Sequence, residues 1–353
     1  MRQAQVSRGL VVALILTSVA LICCTFGCSS TGRTEGGTGA SRVRVAIVPP
    51  GFTSPFHVAI KDGAFAEASK RGWEIDIVAA EREGDFAGQV AVVEQEVRKG
   101  VDAIAINPID AKAIVTAVRA ANKAGIPVFM HNLITPVDNG EVVEYIGYDQ
   151  WSGAAKLAQY TCDLLDGEGE VFILTGIPGF HANRRTQGYR WGLERWCPGV
   201  KVVGEQTAEW EREKAVNVAT MALQQRSEID LFYGNSDEMG IGACIAAEKM
   251  GRRVNEDIWC VSIDGNDVTL DLIEEGRTTA TLGVYPNLMG GVVIQQMEKV
   301  LNGEDVPYIL ETPSIVVDAT NVSDYRSGAT WIEPKPGLPE LDNGLPSGEY
   351  AGR

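Results

Sequence analysis

Short apolar runs rich in β-branched residues alternate with amphipathic stretches through most of this chain. The runs at residues 43–48 and 103–106 predict buried strands. The stretches at residues 56–71 and 86–99 show helical spacing, and each is followed by a glycine that ends the helix. Strands separated by helices pair in parallel, because a crossover needs about a dozen residues or more. The pattern therefore predicts βαβ units and a parallel sheet.

The same alternation starts again after Asp149 and continues to Leu282. It repeats the rhythm of the first half without an obvious repeat of its sequence. A chain of 353 residues is long enough for two domains. The sequence therefore predicts the α/β fold class, with two doubly wound parallel sheets in two separate lobes.

The first 27 residues have the features of an export signal. Arg2 and Arg8 give a positive start, and an apolar run follows from residue 10 to residue 24. This run of about fifteen residues is shorter than the ~20 that a membrane-spanning helix needs. We therefore expect residues 1–27 to be a signal peptide and the folded part to lie outside the cytoplasm.

Cys28 is the predicted lipid attachment site. Gly27 directly before it resembles a lipoprotein cleavage box, although Thr25 stands where such boxes usually carry leucine. The alternatives are an uncleaved anchor, or a plain signal with incidental cysteines. Residues 28–41 are Ser, Thr and Gly with few apolar side chains, which predicts a flexible tether.

Charge and motif content exclude several function classes. The formal net charge of −16 repels phosphate backbones, so we expect no nucleic-acid partner. Three histidines without metal-ligand spacing predict no metal, and neither a nucleophile elbow nor a phosphate loop is present in the sequence. We therefore expect no cofactor and no enzymatic activity.

Four cysteines lie beyond the leader and its tether, namely Cys162, Cys197, Cys244 and Cys260. They show neither the CxxC spacing nor the Cys/His spacing of a metal site. An oxidising compartment permits a disulfide, but the sequence does not pair these residues. Buried free thiols are the favoured interpretation.

Ligands of open parallel sheets bind beyond the carboxyl ends of the strands, so the loops there are the candidates for a binding site. Their content is mostly amides, hydroxyls and aromatic rings, as at Asn107, His131, Asn132 and Trp210. One carboxylate, Asp264, directly follows an apolar strand. Such a set predicts a site for a small polar molecule.

The chain resembles the periplasmic sugar-binding proteins of the ribose/galactose-binding type between about residues 42 and 320. Several stretches carry the resemblance in order and spacing: Ser54-Pro55-Phe56, Ala105-Ile106-Asn107-Pro108, Gly125-Ile126-Pro127-Val128, Arg185-Thr186-Gln187-Gly188-Tyr189, Asn235-Ser236-Asp237-Glu238-Met239 and Ile263-Asp264-Gly265. The resemblance implies a type I periplasmic binding protein, in which two Rossmann-like lobes are joined by a three-strand hinge. The crossings are expected near Asp149, Val284 and Thr312.

The resemblance also implies the domain boundaries. The N-terminal lobe is expected to comprise residues 42–149 with 285–312, and the C-terminal lobe residues 150–284 with 313–330. Residues 331–353 are rich in proline and glycine and predict a loose tail.

Several site residues follow from family positions that this sequence matches. Phe56, with His57 beside it, and Trp210 fall where aromatic rings pack on the two faces of a sugar. Asn107 and Asp264 fall where side chains hydrogen-bond hydroxyl groups. Ser236 aligns with a binding asparagine of the family.

Departures from the family pattern affect the remaining positions. Relatives carry Asp-Arg where this chain has Asn132-Leu133, preceded by His131. The binding arginine of relatives aligns with Asn183, next to Arg184 and Arg185, of which Arg184 is favoured. A glutamine near the last crossover is replaced by Val284, which leaves Tyr285 as its substitute. We therefore expect a hydroxyl pattern other than that of ribose.

The resemblance implies a binding protein that captures a small neutral polyhydroxylated ligand, a monosaccharide or polyol, between its lobes. Its expected protein partner is the permease of an ABC importer. The N-terminal lipid is expected to attach it to the membrane. The protein is expected to be a monomer. The alternative is a receptor of the same fold that signals to a chemoreceptor or histidine kinase. A repressor of this fold is disfavoured by the export leader.

Overall fold

The computed structural model describes residues 42–134 and 136–337. Within them, seven strands form the first sheet: β1 (Arg44–Val48), β2 (Glu74–Ile77), β3 (Ala103–Ile106), β4 (Val128–His131), β5 (Glu144–Gly147), β11 (Ile309–Glu311) and β13 (Lys335–Pro336). Their order is β13-β11-β5-β4-β3-β1-β2, and only β13 runs antiparallel to its neighbour.

Six strands form the second sheet: β6 (Glu168–Thr175), β7 (Gly199–Thr207), β8 (Leu231–Gly234), β9 (Trp259–Asp264), β10 (Ala280–Gly283) and β12 (Ile315–Asp318). Their order is β12-β10-β9-β8-β6-β7, and only β12 is antiparallel. Two mostly parallel sheets confirm the predicted α/β fold class.

Helices cover both sheets and form two lobes. Those of the first lobe are α1 (Pro55–Lys70), α2 (Phe86–Lys99), α3 (Val115–Lys123) and α9 (Pro286–Leu301). Those of the second are α4 (Gln150–Leu164), α5 (Phe180–Trp196), α6 (Arg212–Gln225), α7 (Asp237–Lys249), α8 (Asp267–Glu274) and α10 (Val322–Ser327). None of these helices combines the length and the apolar character that crossing a bilayer requires. Residues 1–41, including Cys28, lie outside the described residues.

Local sequence signals set the helix ends. The side chain of Asp85 accepts a hydrogen bond from the backbone N–H of Gly88 and so caps the start of α2. Gly100 directly follows the last residue of α2 and adopts a left-handed backbone conformation, which glycine does at no steric cost. The central strand β3 is buried along its whole length, because helices cover both faces of its sheet.

The chain passes between the two sheets at three places. It leaves β5 for α4 at Asp149, leaves β10 for α9 at Tyr285, and leaves β11 for β12 at Thr312. All three residues are buried. Each sheet is therefore built from discontinuous segments of the chain.

A disulfide joins Cys162 on α4 to Cys197, the residue that follows α5. The Cα atoms are 5.6 Å apart, because α4 and α5 pack side by side. The expectation of four free thiols was therefore wrong for this pair. Cys244 and Cys260 are free and buried, as predicted.

Strand β5 was not predicted from the sequence. Glu144 is fully buried, and burial raises its pKa to about 8, so its carboxyl is mostly protonated at neutral pH. The predicted loose tail also differs from the structure at its start. Trp331 packs against Tyr285 with 5.2 Å between ring centroids, and β13 pairs with β11. The rest of that tail, 338–353, lies outside the described residues.

Candidate ligand-binding site

A cavity of about 80 Å³ lies between the carboxyl ends of the two sheets. One ordered water needs only ~10–15 Å³ by the same measure, so this space accommodates a larger molecule. Seven of the residues predicted from the sequence line it, namely Phe56, His57, Asn107, Asn132, Trp210, Ser236 and Asp264. They come from both lobes, so a molecule in the cavity touches both.

Chain topology brings these side chains together. Asn107 follows β3, and Asn132 follows β4 with a left-handed backbone at φ 56°. Ser236 precedes α7, and Asp264 is the last residue of β9. Parallel strands end at the same edge of a sheet, so residues distant in sequence meet there.

Aromatic rings from both lobes form part of the wall. Phe56 follows Pro55 at the start of α1 and is only 3% exposed. Trp210 comes from the second lobe and is held by a left-handed backbone at φ 68°. Its ring lies over Gly176, where a Cβ atom would come within 2.0 Å of the indole. A glycine at 176 is therefore needed for this position of the Trp210 ring.

Replacing Trp210 with alanine is expected to weaken ligand binding about 10–100-fold, since the ring covers apolar C–H surface worth ~1.5–3 kcal/mol. The half-buried ring contributes less to folding, so the melting temperature without ligand should change little. Calorimetric titration and thermal unfolding measure the two effects. Trp73→Ala is the matched control, because Trp73 is likewise half-buried against a core cluster but lies in the first lobe and does not line the cavity. A steep loss of stability with unchanged affinity for Trp210→Ala would place that ring in the core.

A buried ion pair lies at the cavity in the second lobe. Arg185 Nη1 is 3.2 Å from Asp264 Oδ1, and each side chain is only 4% exposed. Arg185 also donates hydrogen bonds to Gln150 Oε1 and to the carbonyl of Asn235, and its guanidinium lies 5.5 Å from the Trp210 ring centroid. Burial raises the pKa of Asp264, whereas the guanidinium lowers it. The pair thus presents oriented polar groups with no net charge.

Several polar atoms at the cavity have no hydrogen-bond partner among the described residues. They are Asn107 Oδ1, Asn132 Oδ1, Ser236 Oγ and His57 Nδ1, all buried and all on lining side chains. A buried polar atom without a partner costs about 1–3 kcal/mol. Their convergence on one cavity indicates a ligand with several hydroxyl groups.

All three histidines of the chain lie in or beside this cavity. Burial lowers the pKa of His57, His131 and His181 to about 3, so all three are neutral at pH 7. His131 lies behind the cavity wall, with both ring nitrogens lacking a partner in the described structure. No cluster of His, Cys, Asp or Glu in the described part of the chain is arranged to hold a metal ion.

Three predicted residues lie away from the cavity wall. Asn183 is exposed, and the Arg184 guanidinium lies 5.7 Å from the Phe180 ring centroid. Tyr285 packs on Tyr325 at 4.3 Å, because its backbone turns with φ 52° at the crossover into α9. In place of Asn183 and Arg184, the structure brings Arg185 to the cavity.

Of the lining residues, Glu83 was not predicted, and Arg185 was named only as the less favoured alternative to Arg184. A signal for Arg185 was available, because Ala182, Arg185, Thr186 and Tyr189 repeat at helical spacing and all are buried. Glu83 lies in a turn between β2 and α2, where the sequence shows no periodicity.

Comparisons with known proteins agree with this geometry. Residues 45–305 match the profile of a family described as a periplasmic binding protein domain. The ribose import binding protein of Bacillus subtilis is 32% identical over 263 residues, which is 74% of this chain and 83% of that protein.

Two solved structures are similar in fold. An ABC transporter solute-binding protein of Actinobacillus succinogenes with bound D-allose has a TM-score of 0.76 at 26% identity, covering 80% of this chain and all of that one. A solute-binding protein of Bacillus halodurans with bound myo-inositol has a TM-score of 0.73 at 28% identity, covering 82% and 99%.

Proposed function

This chain belongs to the periplasmic binding protein family, and from that membership we propose that it captures a monosaccharide or polyol outside the cytoplasm and delivers it to an ABC importer. The observation that carries the assignment is the set of unpartnered polar atoms between aromatic walls from both lobes. The relatives named above bind or import D-ribose, D-allose and myo-inositol, which present hydroxyls around a compact apolar ring. The chain acts by binding rather than by catalysis.

Closure couples binding to transport in this proposal. The crossings at Asp149, Tyr285 and Thr312 serve as the hinge between the lobes. Hydrogen bonds between described residues cross the cleft, from Gln150 Nε2 to the carbonyl of Asn132 (2.8 Å) and between His181 Nε2 and the carbonyl of Pro108 (3.4 Å). A ligand that touches both lobes favours the closed state, which then presents both lobes to the permease.

The wall of the first lobe supports a ligand other than ribose. At the position where relatives carry Asp-Arg, Asn132 faces the cavity and Leu133 is buried in the core. An amide both donates and accepts hydrogen bonds, whereas a carboxylate only accepts. This part of the wall is therefore expected to contact hydroxyls with a different pattern of donors and acceptors.

Location and anchoring form a further part of the proposal. The disulfide between Cys162 and Cys197 is consistent with an oxidising compartment outside the cytoplasm. We propose that Cys28 carries a lipid that holds the protein at the membrane, that residues 28–41 act as a tether, and that the protein is a monomer.

Calorimetric titration with D-ribose, D-allose, D-galactose, myo-inositol and glycerol tests the function. We expect at least one of them to bind with 1:1 stoichiometry at micromolar Kd or tighter, about −8 kcal/mol. Asn107→Ala should weaken that binding about tenfold, since one hydrogen bond to a hydroxyl is lost. Asn302→Ala, at an exposed turn, is the matched control. The absence of any binder among aldoses, polyols and inositols would refute the proposal.

A further inference from the structure

The cavity wall carries an unbalanced negative charge. Among the lining residues, the formally charged side chains at neutral pH are Arg185, Asp264 and Glu83. Arg185 and Asp264 compensate each other at 3.2 Å. Because the three histidines are neutral, the carboxylate of Glu83 remains without a countercharge from the wall.

Glu83 is held in a defined position. Thr53 Oγ1 donates a hydrogen bond to Glu83 Oε1 at 3.1 Å, and the backbone of Ser54 makes another. A Cβ atom on Gly51 would lie 2.6 Å from Glu83 Cγ, so the glycine leaves room for this side chain. The side chain is only 15% exposed. It is therefore a fixed part of the wall rather than a solvated surface acid.

No protein cation compensates Glu83 in the part of the chain that the structure describes. Its only basic neighbour within 4.0 Å is the Nε2 atom of His57, which is neutral. Glu211 of the second lobe adds a repulsive charge, and both repulsion and burial raise the pKa of Glu83. A buried carboxylate without a countercharge is costly, so a cationic group at this position would be strongly favoured.

The second lobe covers the turn that holds Glu83. A Cβ atom on the next residue, Gly84, would lie 3.3 Å from the Ile177 side chain of that lobe. When the lobes close, Ile177 therefore removes water from this corner of the cavity. An electrostatic interaction made here acts in a low-dielectric environment, where it is stronger than at the surface.

We propose that Glu83 makes the site selective for a polyhydroxylated ligand that carries a protonated amine, that is, an amino sugar or an aminocyclitol. The ammonium group donates charge-assisted hydrogen bonds to Glu83, while its hydroxyls pair with the side chains of Asn107, Asn132 and Ser236. This rests on the proposed function and specifies its ligand class. It adds an amino group to the polyhydroxylated ligand expected from the sequence, since that expectation did not include Glu83.

Matched pairs of ligands test the selectivity by calorimetry on the whole exported protein. The probes are D-glucose with 2-, 3- and 6-amino-deoxyglucose, D-galactose with D-galactosamine, and myo-inositol with its monoamino-deoxy derivatives. We expect at least one amine to bind about tenfold or more tightly than its neutral counterpart at pH 7, as one charge-assisted hydrogen bond predicts.

Glu83→Gln should reduce that preference to within about twofold, because the substitution removes the charge and keeps the shape of the side chain. Glu81→Gln is the matched control, because Glu81 is an exposed acid two residues before Glu83 and does not line the cavity. It should keep the preference.

The outcomes separate the two proposals. Neutral polyols that bind as tightly as every amine, or an amine preference that survives Glu83→Gln, would overturn the role of Glu83 while leaving the binding function intact. Failure of all neutral and aminated probes to bind would overturn the binding function itself.

Discussion

Replacing Arg185 with methionine is expected to lower the free energy of unfolding by about 3–5 kcal/mol and to abolish measurable ligand binding. The substitution keeps most of the volume of the side chain but leaves Asp264 as a buried charge without its guanidinium partner. It also removes hydrogen bonds to Gln150 and to the carbonyl of Asn235. Chemical denaturation and calorimetric titration measure the two losses.

The destabilisation of Arg185→Met should depend on pH. Without the guanidinium, the pKa of Asp264 in the folded protein stays well above that of the unfolded chain, since burial and repulsion from Asp237 both raise it. The folded state then binds the proton more tightly, so the stability of the variant rises as the pH falls towards the unfolded pKa of about 4.

Two controls isolate this effect. The double variant Arg185→Met/Asp264→Asn should recover most of the lost stability, because no unpaired charge remains, but it should not recover binding. Arg184→Met changes the neighbouring residue, which does not line the cavity, and should keep the affinity. Wild-type stability in Arg185→Met, or lost binding in Arg184→Met, would contradict the assignment of Arg185.

The double variant Cys162→Ala/Cys197→Ala is expected to lose about 3–4 kcal/mol of stability. The disulfide closes a loop with a sequence separation of 35 residues, and that loop limits the freedom of the unfolded chain. It also fixes the contact between α4 and the end of α5. The affinity for ligand should change little, because neither cysteine lines the cavity.

Reductant provides an independent test of the disulfide. Dithiothreitol should lower the melting temperature of the wild-type protein and leave that of Cys162→Ala/Cys197→Ala unchanged. Cys244→Ala removes a buried free thiol instead, and this variant should keep its sensitivity to reductant. A wild-type protein that is insensitive to reductant after denaturation and refolding would show that the bond does not form.

Much of the fold could be predicted because its signals are local. Helix α2 was predicted to the residue, since its apolar spacing ends at Gly100. Strand β5 was not predicted, and only the structure shows that its first residue, Glu144, is buried and mostly neutral. The pairing of Cys162 with Cys197 depends on how α4 packs against α5, which is a property of tertiary structure.

The site was predictable where a residue directly follows a strand, as with Asn107 and Asp264. On helix α5 a shift of one residue rotates the side chain by about 100°, which separates Arg184 from Arg185. The family alignment alone did not show which of the two arginines reaches the cavity. The buried face of the helix does, because it includes Arg185 and not Arg184. Glu83 could not be found in this way, because its turn reaches the cavity only through contacts with Gly51 and Thr53.

The hydrogen bonds from Gln150 to Asn132 and from His181 to Pro108 join the lobes without any contribution from a ligand. The polypeptide itself therefore stabilises part of the closed state. The apparent dissociation constant then equals the dissociation constant of the closed state divided by the fraction of ligand-free molecules that are already closed. Evolution can tune uptake over a range of solute concentrations through Gln150, which makes one of these hydrogen bonds and does not line the cavity.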